Sequence, residues 1–514
     1  MNDLRKSIPL NPAELDPDRG VDFRPHEGER STSKTGRHLL TTAVRRTDPL
    51  LEGRIASAKN WRADYLELMR DVVVAEARSP SAALSVANDA LGVANTCFEF
   101  VRGGRTLSLM SAMDEWRERT FETIEIVGTG NRDSDFTLPL RGQRIGGERL
   151  RQQLDTWGRD GVAEPSAVSA LYRVIDDPEQ INLDGVHVAV LGAGAEMGPI
   201  RSLLRWGATV YAVDLPRPEL WSKLIAYARG SAGRLRIPVP VGSFGNREPD
   251  DTEVAYVAGA DLITSAPEIR TWLNDITVPF TLGTYAYADG ATHVRVTMAA
   301  DAICADLLAT RGDIALAYLA TPTDAFAVPM NCVHEARSRW DERGAAGWAQ
   351  VPLRLLGQFE PNYPSIVVGE DGREFGIADC LVGQQGPNYA LAKRLQRWRA
   401  LSARAAGTRT SINVAPATRT RSVLKNRALG AAYAGAHRFG IEVFDPSTSN
   451  TLMAALLVYD LRDESSSANP AQAMTHPLNQ LMDGSIHGGL WRVAYQPRSV
   501  LGIAALLGMF NRRS

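Results

Sequence analysis

The chain has 514 residues, 44% hydrophobic and 23% charged, and its 57 basic and 59 acidic side chains leave a formal net charge of -2. That length and composition describe a globular protein with core enough for two or three domains, and the charge balance excludes a dedicated nucleic-acid binder with its strongly basic face. Four cysteines, Cys97, Cys304, Cys332 and Cys380, lie far apart without paired spacing, which points to reduced thiols and a cytoplasmic location rather than a disulfide framework.

Residues 1–35 are polar and rich in Pro, Asp, Arg and Ser, which predicts a poorly ordered segment and no signal peptide. Residues 36–180 read as a mainly helical region. Leu51, Ile55, Trp61, Tyr65, Leu68 and Val72 recur at helical spacing, and a further helix is expected after Ser79-Pro80. The Gly-Thr-Gly at 128–130 has no phosphate-loop lysine after it and reads as a loop.

At His187 the pattern changes. The run His187-Val-Ala-Val-Leu191 does not alternate, as expected of a strand buried on both faces of a parallel sheet. It leads into Gly192-Ala193-Gly194-Ala195-Glu196-Met197-Gly198, followed by a helical pattern through Trp206 and a second strand that ends in Asp214. Further strands are predicted at 237–241, 261–264, 314–319, 366–368, 412–414 and 452–459, with helices between most of them. The fold class is therefore α/β: a doubly wound Rossmann-type parallel sheet over 181–462, beside the helical N-terminal region. An insertion is expected at about 275–360, and a C-terminal extension with an apolar helix at 463–514.

The glycine loop is the first chemical signal. Gly192 permits a tight turn, Gly194 lets the backbone approach a pyrophosphate, and Gly198 allows helix to pack on strand. Asp214 is placed to accept hydrogen bonds from a ribose, so the loop points to NAD or NADP, with NAD slightly preferred. Arg217 would offset that preference. S-adenosylmethionine, held by a similar loop and acid, is the alternative ligand.

The second signal is Gly386-Pro-Asn-Tyr389-Ala-Leu-Ala-Lys393, which sets a tyrosine and a lysine on one helical face. There Lys393 is expected to lower the phenol pKa, and Tyr389 to carry the proton that accompanies hydride transfer. An arginine-rich helix follows, then Thr410-Ser-Ile-Asn-Val-Ala-Pro416-Ala-Thr-Arg-Thr420. Over about residues 185–462 the chain resembles the short-chain dehydrogenase/reductase family. The resemblance implies Tyr389 as catalytic acid/base, Lys393 as its partner, Pro416 and its loop beside the nicotinamide, a small-molecule substrate and a homo-oligomer. No serine lies between Ser365 and Tyr389. Thr323 and Ser265, each at a predicted strand end, are the candidates for the hydroxyl the family sets beside its tyrosine, loop capping being their simpler role.

The eight histidines show no metal-ligand spacing, and His476 and His487 read as packing or loop residues. Arg394, Arg397, Arg399, Arg404 and Arg409 read as a solvated helix face. The apolar run 500–510 is too short to span a bilayer and reads as a helix packed on the core or resting on a membrane surface. The expected function is an NAD(P)-dependent oxidoreductase acting on a carbonyl or alcohol. The alternatives are a methyltransferase and a non-catalytic dinucleotide-binding regulatory protein.

Overall fold

The computed structural model describes residues 19–511. Its centre is a sheet of seven strands: β1 (Phe121–Val127), β2 (His187–Leu191), β3 (Thr209–Val213), β4 (Arg234–Pro240), β5 (Phe280–Thr284), β6 (Ile314–Ala320) and β7 (Thr410–Val414). Across the sheet they run β7-β6-β5-β2-β3-β4-β1. All neighbours are parallel except β1, which pairs antiparallel with β4 at the edge. Counted without β1, the order is third, second, first, fourth, fifth, sixth, which is the doubly wound Rossmann arrangement with its switch point between β2 and β5. Non-alternating apolar strands fit that place, because both faces are covered. Ala189 and Leu191 enter one core, Val188 and Val190 the other.

Several expectations are corrected. Residues 1–18 lie outside the described residues, but the rest of the segment expected to be poorly ordered contains the strand Gly20–Phe23, paired with Phe98–Arg102. The helix Thr32–Val44 then begins at a Ser31 cap. The stretch 275–360 is no insertion at the sheet, because it supplies β5 and β6. What stands outside the sheet lies after β6: Ala325–Val328, Ile366–Val368 and Glu374–Asp379 form their own antiparallel sheet beside the helix Met330–Asp341. The predicted strand at 366–368 belongs there. Residues 261–264 form a turn instead of a strand, with Asp261 accepting from the Ile263 N–H, and lead into the helix Ala266–Asn274. Residues 452–459 lie in the helix Pro446–Arg462, which packs against β7 and the helix Pro165–Asp176. A run that is apolar all round carries no period by which to tell a buried strand from a buried helix.

The arginine-rich helix Pro387–Ala405 is likewise not a solvated face. It is wedged between β6 and β7 on one side and the helices Trp61–Ala77 and Pro80–Cys97 on the other. Its cations are therefore paired inside the protein. Arg394 and Arg397 each reach one oxygen of Asp324 at 2.7 Å, and Arg399 grips both oxygens of Asp301. Arg404 donates to the backbone carbonyls of Ser467, Asn469 and Gln472. Beyond the helix, Arg409 reaches Glu464.

A second buried ionic cluster joins the start of the helix Pro165–Asp176 to the C-terminal extension. Glu164 accepts from His487 Nε2 at 2.9 Å and from Arg492 at 2.9 and 2.7 Å. The His487 ring stacks on Trp491, and its Nδ1 accepts the Gly489 N–H. Burial lowers the His487 pKa, so the ring is a neutral donor at pH 7. Burial alone would raise the Glu164 carboxyl, but the bonds from His487 and Arg492 outweigh it and hold it at about 2. A folded-state pKa below the unfolded value contributes stability at higher pH that is lost as the carboxylate protonates. The contribution of Glu164, on the order of 3 kcal/mol at neutral pH, is expected to disappear as pH falls from about 4.5 toward 2. Thermal midpoints of the native chain and Glu164→Gln measured down that range test this: the native protein should lose stability more steeply, and parallel curves would refute it.

Among the described residues no helix is long and apolar enough to cross a membrane, and no group of His, Cys, Asp and Glu is arranged to hold a metal ion.

Candidate active site at the carboxyl edge of the sheet

The strand ends Leu191, Val213, Thr284, Ala320 and Val414 all lie on the carboxyl edge, where ligands of open α/β sheets bind. At the end of β2 the chain turns at Gly192 with φ +92°, and a Cβ there would collide with the backbone of Ala286 beyond β5. The N–H groups of Gly192 and Ala193 both donate to the Val213 carbonyl. Gly194 donates to Asp214 Oδ2 and Leu215 to Oδ1, each at 2.8 Å. Burial raises the Asp214 pKa, while those two N–H groups and Arg217 oppose it. Each carboxylate oxygen keeps a further lone pair for a sugar hydroxyl.

The loop does not open a helix directly. Ala195 donates back to the Gly192 carbonyl and Gly198 to that of Ala195, and Pro199 intervenes before a six-residue helix, Ile200–Arg205. Gly198 thus closes a turn instead of packing a helix on the strand. Pyrophosphate contacts fall to the loop's own backbone, where the N–H groups of Glu196 and Met197 have no acceptor among the described residues. The Glu196 side chain is occupied elsewhere. It accepts from Arg421 Nε at 2.9 Å and from the Arg421 N–H at 2.7 Å, while its carbonyl accepts from Asn450. These bonds tie the glycine loop to the segment after β7 that holds Pro416, whose carbonyl accepts from Thr418. The predicted loop residues, Asp214 and the Pro416 loop therefore share one edge.

Tyr389 reaches the same edge from the start of the helix Pro387–Ala405. Its ring stacks on His293 at 5.5 Å and 20° and meets Tyr287 edge-on at 6.1 Å. Tyr287 follows Ala286, against which Gly192 packs, so the loop and the tyrosine are neighbours across β5. Burial raises the Tyr389 phenol, and a hydrogen bond with the Thr321 side chain opposes it. The Thr321 and Thr323 hydroxyls lie 2.9 Å apart. Lys393 is not turned toward Tyr389: its Nζ donates to the Leu319 carbonyl at 3.2 Å and to Gln396 Oε1 at 3.1 Å. Burial lowers it to about 8. The expected lowering of the phenol by Lys393 is replaced by the effect of Thr321.

The hydroxyl beside Tyr389 is thus Thr321, with Thr323 behind it. Ser265 stands at the head of the helix Ala266–Asn274, past Asp214 and away from the tyrosine. In the fold Thr321 directly follows the strand next to β7, but the antiparallel sheet after β6 separates it from Tyr389 in sequence. A search at short spacing ahead of the tyrosine therefore finds nothing. His293 and Tyr287 carry no motif. Their only signal is a strand, Phe280–Thr284, that runs into an aromatic turn.

His293 is fully buried on the helix Ala291–Thr310. Its Nδ1 accepts the Ala288 N–H at 3.3 Å, and Nε2 has no partner among the described residues. Burial, reinforced by Lys393, lowers it to about 3, so it is neutral. Beyond Thr323 lies an apolar cavity of about 50 Å³ lined by Ala417, Leu429, Tyr433, Val500 and Ala504. A larger cavity of about 980 Å³ opens at the amino edge, near His187, Ile314 and Arg409. It is remote from these groups, and its Arg311, Arg399 and Arg409 are paired with Asp313, Asp301 and Glu464.

No family model matches the chain, and neither does any curated protein. Among solved structures it is similar to a 3-oxoacyl-[acyl-carrier protein] reductase from Brucella melitensis, with 12% identity over 60% of this chain and 93% of that one, at a TM-score of 0.31. The fold assignment rests on strand order and direction, not on this likeness.

Proposed function

We propose that the protein is an NAD(P)-dependent oxidoreductase acting on a carbonyl or alcohol. The observation that carries this reading is the convergence on one sheet edge of the Gly192–Asp214 cradle with Tyr389 and Thr321. The nicotinamide supplies or takes the hydride when bound. Asp214 would hold a ribose diol, and the Glu196 and Met197 N–H groups, without an acceptor among the described residues, would take the pyrophosphate. Tyr389 gives its phenolic proton to the carbonyl oxygen in reduction and takes it back in oxidation. Thr321, backed by Thr323, orients that phenol. Lys393 keeps a positive charge beneath the site below pH about 8. The small apolar cavity beside Thr323 suits a substrate with a short apolar substituent.

Calorimetric and thermal-shift titration with NAD, NADH, NADP, NADPH and S-adenosylmethionine tests the reading. A ligand at about 100 times its Kd stabilises the fold by roughly 2.7 kcal/mol. One nicotinamide form is expected to do so, and Asp214→Ala should weaken it roughly tenfold to a hundredfold, the worth of hydrogen bonds to a charged group. Binding of S-adenosylmethionine alone would make the protein a methyltransferase, and silence from all five overturns the cofactor assignment. One observation favours a second reading, a nucleotide-binding regulator without turnover: Lys393 is held by Leu319 and Gln396 instead of facing Tyr389.

A further inference from the structure

The C-terminal helix Pro497–Asn511 is apolar on every side from Val500 to Phe510. It is nevertheless buried along one stripe only, through Val500, Ala504 and Gly508. That stripe lies against the helix Arg427–Gly435 in antiparallel contact so close that a Cβ at Gly435 would strike the Ala504 carbonyl, and one at Gly508 the Ala431 carbonyl. The remaining faces hold Leu506, Leu507, Met509 and Phe510 in contact with water, with Phe510 68% exposed. Leu424, on the short helix Arg421–Lys425 just before the partner helix, is also exposed. A helix apolar all round belongs in a core or in lipid, and a contiguous exposed apolar patch marks an interaction surface.

Charge decides what covers it. Residues 380–441 contain no Asp or Glu, and neither do residues 484–514. The two helices come from these two stretches. Arg419, Lys425, Arg427 and Arg438 are exposed, and none forms an ion pair among the described residues. Arg421 alone of the group is engaged, with Glu196. Because the helices run antiparallel, with Ala431 against Gly508, Arg427 stands at the Phe510 end of the patch. An apolar strip bordered by unpaired cations, on two helices that carry no acid of their own, complements an anionic bilayer surface: side chains enter the acyl boundary while the cations meet the headgroups.

We infer that this helix pair docks the protein peripherally on anionic membranes through Leu424, Leu506, Leu507, Met509 and Phe510, with Lys425, Arg427 and Arg438 contacting the headgroups. The inference stands apart from the oxidoreductase reading. The two helices do, however, wall the apolar cavity behind Thr323, so docking sets that cavity next to the lipid.

The test is co-sedimentation of the full chain with vesicles of phosphatidylcholine alone and of equal parts phosphatidylcholine and phosphatidylglycerol. Binding to the anionic vesicles is expected to exceed binding to neutral ones by roughly tenfold or more, and to fall as salt screens the cations. The double variant Leu506→Glu/Phe510→Glu should lose binding with an unchanged thermal midpoint, since neither side chain supports the core. Lys425→Glu/Arg427→Glu, at fully surface positions, should lose the preference for anionic lipid. Equal binding to both vesicle types, absence of binding, or indifference to Leu506→Glu/Phe510→Glu would each overturn the inference. So would a dimer that Leu506→Glu/Phe510→Glu dissociates while no vesicle is bound, because the patch would then be an interface between copies of this chain.

Discussion

Replacing Tyr389 with Phe is expected to lower turnover by about 10²–10⁴-fold, the usual worth of a positioned acid/base, while nucleotide affinity and thermal midpoint stay close to those of the native chain. The ring does the packing here, stacked on His293 at 5.5 Å and edge-on to Tyr287, and Phe keeps it. Only the hydroxyl is lost, with its bond to Thr321, at about 1 kcal/mol in stability. Rate and stability therefore separate cleanly in this variant. The pH profile gives an independent reading. Lys393 is charged below pH about 8 and neutral above it, so the buried cation that acts on His293, the ring stacked on Tyr389, is lost across an accessible range. Reduction should slow as pH rises through that value, and Lys393→Met should remove the step. His293, held to about 3, adds nothing to the profile there. A Tyr389→Phe variant that turns over at the native rate would refute Tyr389 as the acid/base and leave the methyltransferase standing.

The largest structural effect is expected at Asp324. This carboxylate is 1% exposed and lies between Arg394 and Arg397, both inside the helix that separates the sheet from the N-terminal helices. Arg394 also donates to the Met69 carbonyl, and Arg397 sits over the Phe326 ring. Burial would raise the Asp324 carboxyl, but the two guanidinium charges outweigh it and keep its pKa below the ordinary value. Asp324→Ala leaves two buried cations without their shared anion, and loss of one partner from a buried pair costs about 3–5 kcal/mol. Arg394→Met should cost less, because Asp324 keeps Arg397. Urea unfolding of the two variants gives the comparison. A loss below about 1 kcal/mol for Asp324→Ala, the size of an exposed ion pair, would mean that water reaches the cluster. The same cluster anchors the candidate site at one remove, since Thr321, Thr323 and Asp324 form the segment that follows β6.

What sequence reading recovered was whatever depends on short stretches of chain. The runs at His187 and Thr209, the glycine loop and Asp214 form one unit in which every contact is local or one strand away, and the structure places them together. The Tyr389 and Lys393 positions were legible for the same reason, as two turns of one helix. What was not legible depended on partners far away in sequence. The run at 452–459 is apolar throughout, and whether it pairs as a strand or packs as a helix is settled by β7 being the edge of the sheet, with a helix laid over it.

The arginines after Tyr389 show the other limit. Their spacing matches a solvated face as well as a buried one, and only the helices packed over them and the carboxylates of Asp324 and Asp301 decide between the two. Thr321 comes beside Tyr389 because β6 is the strand next to β7, while the chain between them leaves the sheet to form a separate antiparallel one. By itself the sequence determined a Rossmann-type α/β fold and the two motifs that share its carboxyl edge, since hydrophobic period and turn chemistry act over a few residues. The identity of the hydroxyl at the tyrosine, the pairing of the buried arginines and the bare face of the last helix were decided by tertiary structure. Burial and charge pairing are properties of neighbours in space, and those neighbours lie far apart along the chain.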